Sequence, residues 1–156
     1  ARPLGRPALV ALGQLLRLTP LAGLALDGRG LGDAVADLMY YLQAPRLEEL
    51  SLQANDIGDA GVEAICKALA RSSRLLQLDL SENRVGEAGA AQLAKVMSRT
   101  PELQGLHLRG AQNRLGESGL RALASALLYT PRLTQLSVHS RGVAGAVKAL
   151  ALGLRH

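Results

Sequence analysis

The sequence has no phenylalanine, no tryptophan and only three tyrosines in 156 residues. A core without large rings must be filled by leucine, alanine and the β-branched residues. That suits thin interlocking layers, and it removes the aromatic anchors common at interfaces and the platforms on which bases stack. Cysteine is nearly absent too. The one thiol, Cys66, excludes a disulfide framework and leads us to expect a reducing compartment, cytoplasm or nucleus. Cys66 reads as a small buried residue, because Lys67 alone does little to activate a thiol. No apolar run reaches membrane-spanning length, and no charged, apolar and cleavage-site leader pattern is visible. A glycine-rich phosphate loop with its lysine is also missing.

What is present is apolar and basic. Apolar residues make up 48% of the chain, too many for disorder. The formal charge is +5, carried by arginine far more than lysine. A basic balance fits an acidic partner, nucleic acid, or simply a solvated surface.

The order in the chain lies in a repeated unit, clearest at Leu75–Glu102. Leu75, Leu78 and Leu80 follow L-x-x-L-x-L, and Gln77, Asp79 and Ser81 alternate with them, which predicts a short half-buried strand. Asn83 and a glycine-rich turn follow. From Gly89 the apolar positions Ala90, Leu93, Ala94 and Met97 take helical spacing. Thr100-Pro101 then ends the helix, since proline lacks the amide hydrogen and restricts its predecessor. One such unit cannot bury both its strand and its helix face, so it requires neighbours.

Full units begin at Leu21, Leu47, Leu75 and Leu103, and a shortened one occupies residues 133–156, with a helix expected over about Ala144–Leu154. Residues 1–20 read as the rear half of a further unit, with Leu9, Leu12, Leu15 and Leu16 on one helical face, and suggest a chain cut from a longer solenoid or one capped by a short helix. The expected organisation is therefore a single repeat domain over 1–156. The fourth unit carries two extra residues around Gly110–Gln112 before Asn113 restores the frame.

The residue types have physical roles. The leucines face inward. The amides of Asn55, Asn83 and Asn113 can bond backbone groups in the turns, forming a ladder when stacked. Asp59, Glu87 and Glu117 fall at helix starts, where negative charge suits the dipole, and Arg71, Arg74, Arg99 and Arg132 fall at or beyond helix ends.

The pattern L-x-x-L-x-L-x-x-N-x-[ILV]-G-[DE]-x-G at Leu47–Gly61 and Leu75–Gly89 resembles the ribonuclease-inhibitor-like leucine-rich repeats. Leu103–Gly119 fits once the insertion is allowed. The resemblance implies an α/β solenoid, a right-handed horseshoe segment with parallel strands on the concave face and helices on the convex face. Innate-immune sensors of the NLR type and a Tonsoku-like DNA-repair scaffold carry such repeats. The single cysteine and basic charge depart from ribonuclease inhibitor itself.

Strand side chains alternate, so three outward rows are expected. They are Gly23, Glu49, Gln77, Gly105 and Gln135; Ala25, Ser51, Asp79, His107 and Ser137; and Asp27, Gln53, Ser81, Arg109 and His139. From these we take Glu49, Ser51, Gln53, Gln77, Asp79, Ser81, His107, Arg109, Gln135 and His139 as the candidate partner-binding set. Asp79 and His107 fall beside each other, but an open strand surface supplies neither pocket nor oxyanion hole. His107 and His139 are diagonal and lack a third metal ligand. No catalytic, cofactor or metal site is expected. The expected function is non-enzymatic protein recognition through the concave face, as part of a larger intracellular scaffold or sensor. Two alternatives stand beside it. One is a nucleic-acid-associated module using rim arginines such as Arg29, Arg84, Arg114 and Arg141. The other is a structural spacer or self-association segment.

Overall fold

A computed structural model describes residues 4–42, 46–71 and 74–139. Its elements follow the repeat. Helix α1 (Arg6–Leu16) precedes β1 (Gly23–Ala25), α2 (Val35–Tyr41), β2 (Glu49–Ser51), α3 (Asp59–Leu69), β3 (Gln77–Asp79), α4 (Glu87–Met97), β4 (Gly105–Leu108), α5 (Gly116–Ala126) and β5 (Gln135–Val138). The strands form one sheet in sequence order, and every neighbouring pair is parallel. Each helix packs on the next, α1 on α2 through α4 on α5. Strands on one side and helices on the other give the α/β repeat solenoid that the spacing predicts. The expected helix over 144–154 and Arg141 lie outside the described residues.

The sheet register aligns equivalent leucines. Leu24, Leu50, Leu78, Leu106 and Leu136 are partners across the sheet. Leu50, Leu78 and Leu106 are buried, as are Leu52, Leu80 and Leu108 two residues on. Helix residues Ile65, Leu69, Leu93, Met97, Leu120 and Leu123 close the core from the other side. The two outer strands are less covered, and Leu24 and Leu136 are only partly buried.

The asparagine ladder is present. Asn83 is fully buried; its Oδ1 accepts from the amides of Asn55 and Ile57, each at 3.0 Å, and its Nδ2 donates to Leu52 O at 2.9 Å and Ser81 O at 3.1 Å. Asn55 does the same toward the first repeat, accepting from Arg29 N and donating to Leu26 O. Asn113 accepts from Val85 N at 2.9 Å and donates to Leu80 O, so the extra residues before it do not break the ladder. The chain reaches these turns through a left-handed residue after each of β1 to β4: Gly28, Ala54, Glu82 and Gly110, with φ of 63, 55, 54 and 116°. At Gly110 glycine is required on two counts, because a Cβ there would also stand 2.8 Å from the Glu82 amide nitrogen.

Helix ends are served from two directions. Thr100 and Thr130 are buried, and each hydroxyl donates back to the last helical carbonyls, Val96 O and Met97 O or Ala126 O and Leu127 O. Helix starts are capped by the preceding repeat. The Asp33 carboxylate accepts from the amides of Gly58 at 2.9 Å and Gly61 at 3.0 Å, and Asp59 accepts from Gly86 N at 2.7 Å. Asp59 does sit in the first turn of its own helix, as its position predicts. Its oxygen bonds the next helix start, so one carboxylate serves two helix dipoles.

One expectation about α1 is corrected. Leu9, Gly13 and Leu16 are buried and Leu12 is partly buried, but Leu15 is 65% exposed. At about 100° per residue, Leu15 stands some 240° around the helix from Leu9. Helix α1 also has a helical neighbour on one side only among the described residues, α2, so only one of its faces is covered.

Candidate functional site

The outward rows exist as the alternation predicts. Gly23, Glu49, Gln77, Gly105 and Gln135 are successive partners across the sheet, and so are Ala25, Ser51, Asp79, His107 and Ser137. The third row follows the strand ends. Backbone bonds Gly28 N to Gln53 O, Ala54 N to Ser81 O and Glu82 N to Arg109 O tie it together. Glu49, Gln53, Arg109, Gln135 and His139 are exposed, and Ser51, Gln77, Asp79 and His107 are half-buried.

Ser81 is the correction within this set. It is buried, with 5% of its surface exposed. Its amide donates to Asp79 Oδ1 at 2.8 Å, and its Oγ accepts from Arg109 N at 3.3 Å. Ser81 therefore faces its neighbour strand and is spent on the turn, leaving little surface for a partner. Asp79 shares that work, since one of its oxygens caps the Ser81 amide.

Two residues of the rows outside the candidate set organise its ends. Asp27 Oδ1 accepts from Ser51 Oγ at 2.7 Å and from Gln53 N at 2.9 Å. Ser137 Oγ lies 3.2 Å from His107 Nδ1 and 3.1 Å from Arg109 Nη2, which donates to it. His107, Arg109 and Ser137 thus form one connected group across β4 and β5. His107 Nδ1 meets Ser137, with Asp79 its sheet partner on the other side. The signal that could have found Asp27 and Ser137 is their row position alone, because their bonds run between repeats.

Among the described residues, no three His, Cys, Asp or Glu side chains gather as a metal-binding group, and the clefts described here lie along the helices, including one between α3 and α4 lined by Cys66, Lys67 and Lys95. Cys66 is buried, and desolvation followed by the nearby Glu63 carboxylate pushes its thiol up to about 12. It is a core residue with little thiolate character.

The described rim arginines are exposed, but two meet acids. Arg84 Nε lies 3.1 Å from Asp56, and Arg132 pairs with Glu102. On the N-terminal helices Arg6 Nε contacts Asp37 at 2.6 Å; the hydrogen bond, more than charge alone, holds the Asp37 carboxyl below its usual range. No described helix is long and apolar enough to cross a membrane.

Comparison with known proteins agrees with this geometry. A family model described as leucine-rich repeat matches residues 44–66 and 72–94. These two segments are similar to leucine-rich repeats, and the same strand-and-helix unit recurs on either side of them. Two solved structures have closely similar folds. One is titled leiomodin-1 actin-binding site 2, with a TM-score of 0.79 and 14% identity over 97% of this chain and 88% of that one. The other is the tropomodulin C-terminal domain of Caenorhabditis elegans, with a TM-score of 0.77 and 15% identity over 97% of this chain and 92% of that one. A search of curated protein sequences finds no match.

Proposed function

We propose that this chain is a non-enzymatic protein-recognition module that takes its partner on the concave sheet face. The observation that carries the reading is the register. It stacks polar, outward side chains from β2 to β5 into rows, with Asp27 just beyond β1, while the leucines and asparagines of the repeat are spent on the fold. A leucine-rich-repeat fold suits this use, because each strand adds one short row of adjustable contacts to a rigid surface. Glu49, Gln53, Gln77, His107, Arg109, Gln135 and His139 make the contacts, and Asp27, Asp79, Ser81 and Ser137 hold them in place. One similar structure bears actin binding in its title; co-pelleting with actin filaments is accordingly the first defined assay of a partner.

The general test is affinity capture with three forms of the intact chain: wild type, Glu49→Lys/Arg109→Glu, and the rim control Arg74→Glu/Arg99→Glu. Glu49 and Arg109 suit reversal better than Asp79, because both are exposed and neither side chain caps a turn. Proteins captured by the wild type should be lost with the concave pair and retained with the rim pair. Identical capture by all three forms would refute the concave assignment, and selective loss with the rim pair would move the interface there.

A further inference from the structure

The concave face is electrically polar along the solenoid. The charged outward residues of β1–β3 and their strand ends are Asp27, Glu49 and Asp79, all carboxylates. β4 and β5 carry one charged outward group, the Arg109 guanidinium, with the imidazoles of His107 and His139 beside it. The sign changes once, from the carboxylates of β1–β3 to Arg109 at the end of β4. The intervening positions are neutral: Gln53, Gln77, Gly105 and Gln135. Hydrogen bonds fix both ends, Asp27 through Ser51 and Gln53, and His107 with Arg109 through Ser137.

Resting on the concave-face reading, we infer that this face selects a polypeptide segment that crosses the strands with a basic end over β1–β2 and an acidic end over β4–β5. Complementary potentials favour that orientation and place like charges together in the reverse one, which penalises it. The length fits. Five strands at about 4.8 Å spacing cover about 19 Å, the reach of an extended segment of about six residues at about 3.3 Å each. Gly23 keeps the face low at β1, where a main chain can approach closely, while at β4 the Gln77 side chain lies over Gly105. Nucleic acid has no basic end to set over the carboxylates of β1–β2, so the charge order favours a zwitterionic peptide.

The test uses the 15N-labelled chain and two defined probes, a short oligoglutamate and a short oligolysine, followed by amide chemical shifts. Oligoglutamate should perturb His107, Arg109 and His139, and oligolysine should perturb Asp27, Glu49 and their neighbours. A fused peptide with a lysine block and a glutamate block should bind at least several-fold more tightly than either block alone. Arg109→Glu should abolish the oligoglutamate response and leave the oligolysine response in place. Overlapping perturbations, or perturbations confined to the rims, would overturn the polarity. The capture comparison judges the concave face independently, so the two failures are distinguishable. A concentration-dependent dimer with matching shifts would also overturn it, by assigning the polar face to a second copy.

Discussion

Replacing Asn83 by alanine probes the internal logic of this solenoid. The Asn83 amide is fully buried and makes four bonds that join two consecutive turns. Alanine leaves the Asn55 and Ile57 amides without the acceptor they share, both in buried residues. It also removes a donor from Leu52 O, whereas Ser81 O keeps its bond from Ala54 N at 3.0 Å. Three affected groups at about 1–3 kcal/mol each, less some relaxation, give a loss of about 3–5 kcal/mol. Asn55→Ala should cost less, about 1–2 kcal/mol, because its acceptor bonds serve Arg29 N, in an exposed residue that water can reach, and Leu31 N at a long 3.4 Å. Urea unfolding followed by far-ultraviolet circular dichroism supplies both numbers. If Asn83→Ala stays within about 0.5 kcal/mol of wild type, or Asn55→Ala costs more, the ladder is not what ties the repeats together.

Three further outcomes follow from the same packing. Leu78→Ala, at a fully interior strand position, should cost about 2–5 kcal/mol by urea unfolding. Gly119→Ala should destabilise by about 1–3 kcal/mol despite the better helix propensity of alanine. Its Cβ would stand 2.7 Å from Ala90 Cβ and 3.3 Å from Glu87 Cα, wedging α4 from α5, and the melting temperature reports this. The Cys66 thiol titrates near 12 in the fold against 9.0 ordinarily, so the unfolded chain loses its proton first as pH rises. The contribution of the neutral thiol to stability is therefore complete below pH 9 and declines between 9 and 12. The stability difference between wild type and Cys66→Ala, measured by urea unfolding across that range, should shift against the wild type as pH rises.

The strand register and core were legible because they are local. Leu75, Leu78 and Leu80 mark the inward positions of β3 by alternation alone, and a fixed repeat carries that assignment to the neighbouring strands. Asn83 and Asn113 were readable for the same reason, being constant in position relative to those leucines. What escaped depends on contacts between repeats. Nothing near Asp33 in sequence says that it caps a helix starting 26 residues later at Asp59. Ser81 alternates correctly, yet the neighbouring strand covers it and the Arg109 amide bonds its hydroxyl. Leu15 fits the spacing of an apolar face, but the face that α1 turns to α2 runs through Leu9, Gly13 and Leu16, where Gly13 lets Tyr41 approach. The grouping of His107, Arg109 and Ser137 likewise emerges only when β4 and β5 lie side by side.

The proposed partner site lies on the strands and not on the helices. Site-specific photo-crosslinking tests it most directly, with the reactive group placed at exposed Gln53 on the concave face or at exposed Lys95 on α4. A discrete crosslinked protein is expected from position 53 and none from position 95. Crosslinking from position 95 alone would contradict it.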